Sequence, residues 1–454
     1  MACKRFLCMC KLQKETKNRT KEDLRKGLLS FLENRLAPLG EKIGSQRHLK
    51  ALREGILIAM PLVLIGSFFV LIKDFPVDAW TTWLKENGAY ALLDAMANNS
   101  FGLMALITSF GIADRLSRSY GTDGVSAGVL SLAAFLLVTP IISNEAGAAG
   151  IPYSALGGKG IFSAILVSMV SAEIYRWFIQ KNITIKMPGS VPEAVSKYFS
   201  ALIPGLVILI VFAIVKILLE ITGLGSLNDI LSRVIGVPLG YIAGTLPGTF
   251  VAVLLNSLFW FCGVNGGQVV GSVMNPLWIQ YADANRVALA AGEALPNIIT
   301  APFMDLFVYM GVGGATIGLA LCLLFFSRSK EFKTLGKVSG IPALFNINTA
   351  ILFTFPTVLN PIMLIPFVLT PVINAIVTYF AMLSGLVPLT TGVTLPWTTP
   401  PVIGGFLATG SWQGAVLQIV LVAVSFAIYY PFFKAADLRK LEEEKGEIPA
   451  SLTI

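Results

Sequence analysis

The chain has 454 residues, 55% of them hydrophobic and only 13% charged, with a formal net charge of +8. A soluble domain holds about 25% charged residues, and an unpaired charge at the centre of a bilayer costs roughly 3 kcal/mol. The composition therefore excludes an ordinary soluble enzyme and leaves a polytopic membrane protein, whose long apolar runs read as helical spans of an all-α fold. With 42 glycines and 24 prolines, some spans are expected to be broken or re-entrant, as happens where backbone lines a protein-buried cavity.

Residues 1–30 read as a basic arm, with Lys4, Arg5, Lys11, Lys14, Lys17 and Arg19 among its charges. No apolar stretch follows that would make it a cleavable leader. Arg328–Lys337 and Lys434–Lys445 are the other basic segments. The positive-inside rule places all three, and hence both termini, on the cytoplasmic side of a cell membrane. Topology already accounts for this charge and aromatic residues are sparse in the arm, so no nucleic-acid partner is expected. Cys3, Cys8 and Cys10 have no histidine or further cysteine to complete a metal set, and neither a metal nor a cofactor is expected.

Ser30–Gly55 has the spacing of an amphipathic helix at the bilayer surface, carrying His48, the one histidine of the chain. Apolar candidates follow near 55–73, 100–113, 124–142, 160–180, 200–222, 234–262, 303–327, 361–385 and 412–433. Breaks rich in Gly, Pro and Asn cluster late in the chain. The expected organisation is an arm (1–30), a scaffold half (31–235), a ligand-handling half (236–433) and a tail (434–454).

Three of the breaks carry chemistry. In "FWFCGVNGGQVVG" (Phe259–Gly271), Gly266 and Gly267 let backbone approach a ligand, while Asn265 and Gln268 donate and accept as a neutral polyol requires. The alternative is a helix break whose amides only satisfy freed backbone groups. "FNINTAILFTFPTVLNP" (Phe345–Pro361) alternates Asn346 and Asn348 with apolar residues ahead of Thr349, as a dipping hairpin with a polar tip would; here the alternative is an Asn-capped helix start. "LPWTTPPVIGGFLATG" (Leu395–Gly410) sets Trp397, Thr398 and Thr399 between prolines. An indole can stack on a sugar ring while hydroxyls bond its edge, or it can serve as an interfacial anchor.

Charges in apolar sequence are few. Asp114, Arg115 and Arg118 share one helical stretch and Glu173 and Arg176 another, with spacings that fit local ion pairs. Asp305 has no such neighbour and is the candidate for a functional ionic role, with Arg115 as a second. The chain shows no P-loop, no metal-ligand pair and no nucleophile elbow.

These motifs, in this order, resemble enzyme IIC, the permease subunit of bacterial phosphoenolpyruvate-dependent sugar phosphotransferase systems, of the lactose/cellobiose/diacetylchitobiose class. The resemblance rests also on "ITIKMPGSVPEAVSKYFSALIPG" and "PFMDLFVYMGVGGATIGL" and covers nearly all of the chain beyond residue 30. It implies a homodimer with about ten transmembrane helices and two re-entrant hairpins. It also implies elevator-type movement of a bound β-linked disaccharide and phosphorylation by separate IIB and IIA proteins on the cytoplasmic side. Two positions depart from the family pattern. Asn265 stands where a His is common, and Thr349 and Ala350 replace the Glu-Pro of Asn-Ile-Asn-Glu-Pro. That Glu is the family's expected base, and a threonine hydroxyl does not ionise near neutral pH. Three readings stay open at this point: a working permease with an altered site, a sugar carrier uncoupled from phosphorylation, and a non-transporting sensor or partner subunit.

Overall fold

The computed structural model describes residue 30 and residues 32–75, 77–143, 149–188, 191–355 and 357–445. Most of the basic arm, with Cys3, Cys8 and Cys10, and the end of the tail lie outside the described residues. Helices dominate. Among the described residues the only strands are a two-residue pair, Ile142–Ser143 with Ala149–Gly150.

The expected amphipathic helix is two pieces. A π turn, Leu32–Leu36, leads into α1 (Ala37–Gly44), and a new helix, α2 (Arg47–Lys73), starts three residues later. The break lies at Gln46, whose extended backbone lets its side chain accept the Leu49 N–H at 2.6 Å and cap α2. Two short helices, α3 (Asp78–Glu86) and α4 (Ala89–Phe101), precede α5 (Met104–Ser119) and α6 (Gly124–Val138). Asp123 caps α6 by accepting the Ser126 N–H at 3.0 Å. Then come α7 (Ile161–Gln180), α8 (Glu193–Ser200) and α9 (Leu202–Thr222). Helices α2, α4, α5, α6, α7 and α9 pack on one another. Ion pairs on this group follow the helical spacing: Arg118 to Asp114 at 2.7 Å and Arg176 to Glu173 at 2.7 Å. His48 is held by the same Glu173 at 3.0 Å, which ties the start of α2 to α7.

The apolar stretch 234–262 is divided. After α10 (Leu227–Leu231), α11 (Val237–Ala243) stops at Gly244, and Thr245 with Pro247 starts α12 (Leu246–Phe261). The glycine break that follows is the first turn of a further long helix, α13 (Gly266–Ala290). The stretch 303–327 is also divided: a π turn, Phe303–Val308, then a glycine-rich reversal, then α14 (Ile317–Phe326). The basic segment Arg328–Lys337 leads into and forms the first half of α15 (Lys330–Leu344). With α16 (Thr349–Thr354) it forms a hairpin whose tip is Phe345–Asn348, as the asparagine spacing implied. Helices α17 (Pro361–Leu383), α18 (Ile403–Thr409) and α19 (Trp412–Glu444) complete the chain.

Among the described residues, five helical segments are long and apolar enough to cross a membrane: Arg47–Lys73, Gly158–Gln180, Val195–Thr222, Ile362–Leu383 and Trp412–Glu444. Gly124–Val138, Leu246–Phe261 and Ile317–Phe326 are shorter apolar helices.

Both legs of the α15–α16 hairpin are clamped. Asp437 accepts the Arg328 and Ser329 N–H groups and Glu444 those of Lys330 and Glu331, all from α19. On the return leg, Leu359 N–H donates to the Phe261 carbonyl at 3.0 Å. The loop ahead of α18 is organised by Gln418, a fully buried residue of α19. Its Oε1 accepts the Val402 and Gly405 N–H groups, each at 2.6 Å, and its Nε2 donates to the Leu306 carbonyl at 2.7 Å.

Candidate functional site

Two cavities meet at the first turn of α13. The first, of about 470 Å³, takes Asn256 and Trp260 from α12 and Asn265, Gly267, Asn275 and Trp278 from α13. Asp305, Tyr309 and Gly313 close it from the glycine-rich reversal, and Trp397 from the loop before α18. Within each helix the lining residues recur at i, i+3 or i+4, so that one face of each points inward.

The local sequence explains the wall. Asn265 Oδ1 accepts the Gln268 N–H at 3.0 Å and caps α13, which leaves the carboxamide nitrogen to donate. Gly266 has to lack a side chain, because a Cβ there would run into the Asn256 carbonyl oxygen. Gly313 lies against the Trp260 indole so closely that a Cβ would overlap the ring. The two glycines thus bring α12, α13 and the reversal within reach of one ligand. Asp305 turns an exposed side chain to the cavity although its neighbours Met304 and Leu306 are fully buried, and it has no salt bridge among the described residues. The cavity thereby offers indole faces, amide groups and one carboxylate, the inventory for a ring-shaped neutral polar solute.

The second cavity, of about 700 Å³, lies on the other side of the glycine loop against α1 and the start of α2. Gly263, Val264, Asn265 and Gln268 form one wall, and Glu41, Lys50 and Arg53 the other. Asn265 alone among the polar lining residues belongs to both cavities.

The sequence-predicted residues therefore separate into groups. Asn265, Asp305 and Trp397 come together on the first cavity, and Gln268 faces the second. Gly266 sits in the partition. Asn346, at φ 58°, donates from Nδ2 to the Trp397 and Thr399 carbonyls, both at 3.0 Å, and so joins the hairpin tip to the Trp397 loop. Asn348 stands at the cap position of α16 but makes no cap bond; its Nδ2 donates to Thr316 Oγ1 at 3.1 Å. These two asparagines hold the wall rather than line it. The Thr399 hydroxyl is used within its own turn, donating to the Pro396 carbonyl at 2.7 Å, and Thr398 is half-buried beside Trp397. For Thr349 only the backbone is described, as the first residue of α16. Arg115 lies on α5, 3.9 Å from Asp114, a helix that contributes nothing to the first cavity. Asn256, Trp260, Asn275, Trp278 and Tyr309 escaped the sequence reading. The pairs Asn256/Trp260 and Asp305/Tyr309, at i, i+4, and the series Gly267, Gly271, Asn275 were the available signal.

A helical membrane protein with a hairpin, a glycine-rich reversal and a proline-rich loop gathered around an aromatic and amide cavity has the build of a solute carrier. The chain belongs to the phosphotransferase system EIIC family, whose model matches residues 53–371. It is 44% identical over 427 residues to the lichenan permease IIC component of Bacillus subtilis (strain 168), covering 91% of this chain and 94% of that one. It is also 44% identical to the cellobiose-specific EIIC component of Geobacillus stearothermophilus, covering 92% and 96%. The crystal structure of the transporter ChbC, the IIC component of the N,N'-diacetylchitobiose-specific phosphotransferase system, matches with a TM-score of 0.87 at 40% identity, covering 92% of this chain and 99% of that one.

Proposed function

We propose that this EIIC permease binds a β-linked disaccharide of the cellobiose, diacetylchitobiose or lactose type in the first cavity and moves it across the membrane for phosphorylation by phosphorylated IIB and IIA partner proteins. The observation that carries the reading is the cavity itself. Its volume lies in the range of small-ligand sites, about 300–1,000 Å³, and Trp260, Trp278 and Trp397 face it together with Asn256, Asn265, Asn275 and Asp305. Relatives named for lichenan, cellobiose and lactose support the substrate class.

In this reading Trp260 and Trp397 cover apolar sugar faces, and the asparagines and the Asp305 carboxyl group bond hydroxyls. Asn346, Asn348 and Thr399 keep the Trp397 loop in place. Residues 31–235 act as the dimerising scaffold and 236–433 as the moving part. Basic segments at both ends favour cytoplasmic termini. The exposed apolar stripe of α9, Leu206, Ile210, Ile214 and Ile221, suits a bilayer or a second copy.

The test is uptake into vesicles holding the purified chain, its IIB and IIA partners and phosphoenolpyruvate. Labelled disaccharide is expected inside as sugar phosphate. Labelled but unmodified sugar would instead establish the uncoupled carrier, and absence of binding across a disaccharide panel would remove both.

A further inference from the structure

We infer that the second cavity is a subsite for a phosphoryl group, occupied by the phosphate of a disaccharide phosphate whose sugar part rests in the first cavity. This deepens the proposed function and rests on it for the identity of the sugar. Three observations converge. First, Lys50 and Arg53 face the cavity from one turn of α2. Their pairing to Glu54 is long, 3.9 Å in each case, and Arg53 Nη1 is buried without a hydrogen-bond partner among the described residues. Both cations keep free donors, and a phosphate monoester is the kind of anion that Arg binds through two oxygens at once.

Second, the opposite wall is the start of α13, a 25-residue helix. Gln268 N–H is taken by Asn265 Oδ1 and Val269 N–H by the Asn265 carbonyl, so this wall offers the cavity the Gln268 carboxamide and the positive end of the helix dipole rather than a free N–H. Third, Asn265 belongs to both cavities, so a ligand reaching past its carboxamide would have a sugar ring on the tryptophan side and an anionic substituent on the lysine–arginine side. Glu41 is the one acidic residue lining the cavity, and its charge favours a phosphate held against Arg53 rather than beside Glu41.

A monoester phosphate and a lipid headgroup share this chemistry, and the experiment separates them. The full-length chain is placed in nanodiscs of phosphatidylcholine alone and titrated by calorimetry with cellobiose and with cellobiose 6-phosphate. The phosphate ester is expected to bind roughly tenfold more tightly than the parent sugar. That ratio should fall to near one in Lys50→Gln/Arg53→Gln and persist in Lys50→Arg/Arg53→Lys, which keeps both charges. A ratio near one in the unaltered chain, or a ratio unchanged in the double Gln variant, overturns the inference. Repeating the titration in discs containing phosphatidylglycerol tests the source: loss of the ratio there assigns the cavity to lipid headgroups and overturns the sugar-phosphate assignment. Failure of cellobiose and of other disaccharides to bind would refute the proposed function instead. Titration with inorganic phosphate then still tests the subsite, and a response equal in the unaltered chain and the double Gln variant would refute it as well.

Discussion

Replacing Trp397 by Ala removes one wall of the first cavity without touching the groups that position it, because Asn346 bonds the backbone carbonyl of residue 397 and not its side chain. The magnitude follows from exposure. Trp397 is 53% exposed, and a tryptophan presents up to about 250 Å² of surface, so roughly 130 Å² remains to be covered. A sugar stacked on one face covers about half of that, ~65 Å², which at about 25 cal/mol per Å² is ~1.6 kcal/mol, or ~15-fold in Kd. Calorimetric titration of the purified chain with cellobiose is the assay, with thermal unfolding as a control that the loop still folds. An unchanged Kd would show that the ring faces lipid or the bilayer interface and would return Trp397 to an anchoring role.

Three further outcomes follow from the same geometry. Asp305→Asn keeps the shape but exchanges one carboxyl oxygen for an amide nitrogen, which removes an acceptor, and should weaken disaccharide binding by roughly fivefold, since a hydrogen bond contributes about 1 kcal/mol; equal affinity would remove Asp305 from the sugar contacts. Gln418→Ala strands the Val402 and Gly405 N–H groups and the Leu306 carbonyl in the interior. At about 1 kcal/mol or more for each buried group left unpaired, stability should fall by ~3 kcal/mol, visible as a lowered unfolding temperature. Thr349→Glu should raise phosphorylating uptake in the reconstituted vesicles; an unaltered rate would mean that no carboxylate is needed at the start of α16.

The fold was legible wherever a physical signal was local. Charge depletion announced the spans, and the asparagine spacing of Phe345–Pro361 announced a hairpin tip. What escaped was the identity of the glycine break. "GVNGGQ" reads as a loop because glycine is a poor helix former, yet Asn265 caps a helix there and Gly266 is demanded by the Asn256 carbonyl across the contact, a tertiary reason invisible in one sequence. The site was half legible for the same cause. Asn346 and Asn348 stood out as polar residues in apolar surroundings, but that marks buried hydrogen-bonding duty as readily as ligand contact, and here they bond the Trp397 loop and Thr316. Asn256 and Asn275 lie inside helices, where their ligand-facing spacing emerges only once α12 and α13 are paired.

If Asn265 and Thr349 stand at the His and Glu positions of the family pattern, the two exchanges bear differently on the two halves of the proposed activity. Asn is among the strongest helix N-caps, so Asn265 firms the partition between the cavities while giving up a titratable ring; sugar binding, which needs neutral donors and acceptors, loses little. Phosphoryl transfer depends mainly on positioning and electrostatic stabilisation, whereas a general base contributes typically 10²–10⁴-fold. On the proposed reading, a chain that keeps the cavity, the clamped hairpin and the cation pair Lys50/Arg53 but has Thr349 at the base position retains the larger share of what transfer requires. It should therefore turn over slowly rather than not at all. The double variant Thr349→Glu/Asp305→Asn sharpens the point. If the carboxylate at 349 is the missing base, it raises the rate even with Asp305 neutralised, and the sugar affinity alone reports the loss at 305. If the gain appears only while Asp305 is intact, the two carboxylates act as one unit and Asp305 belongs to the chemistry as well as to binding.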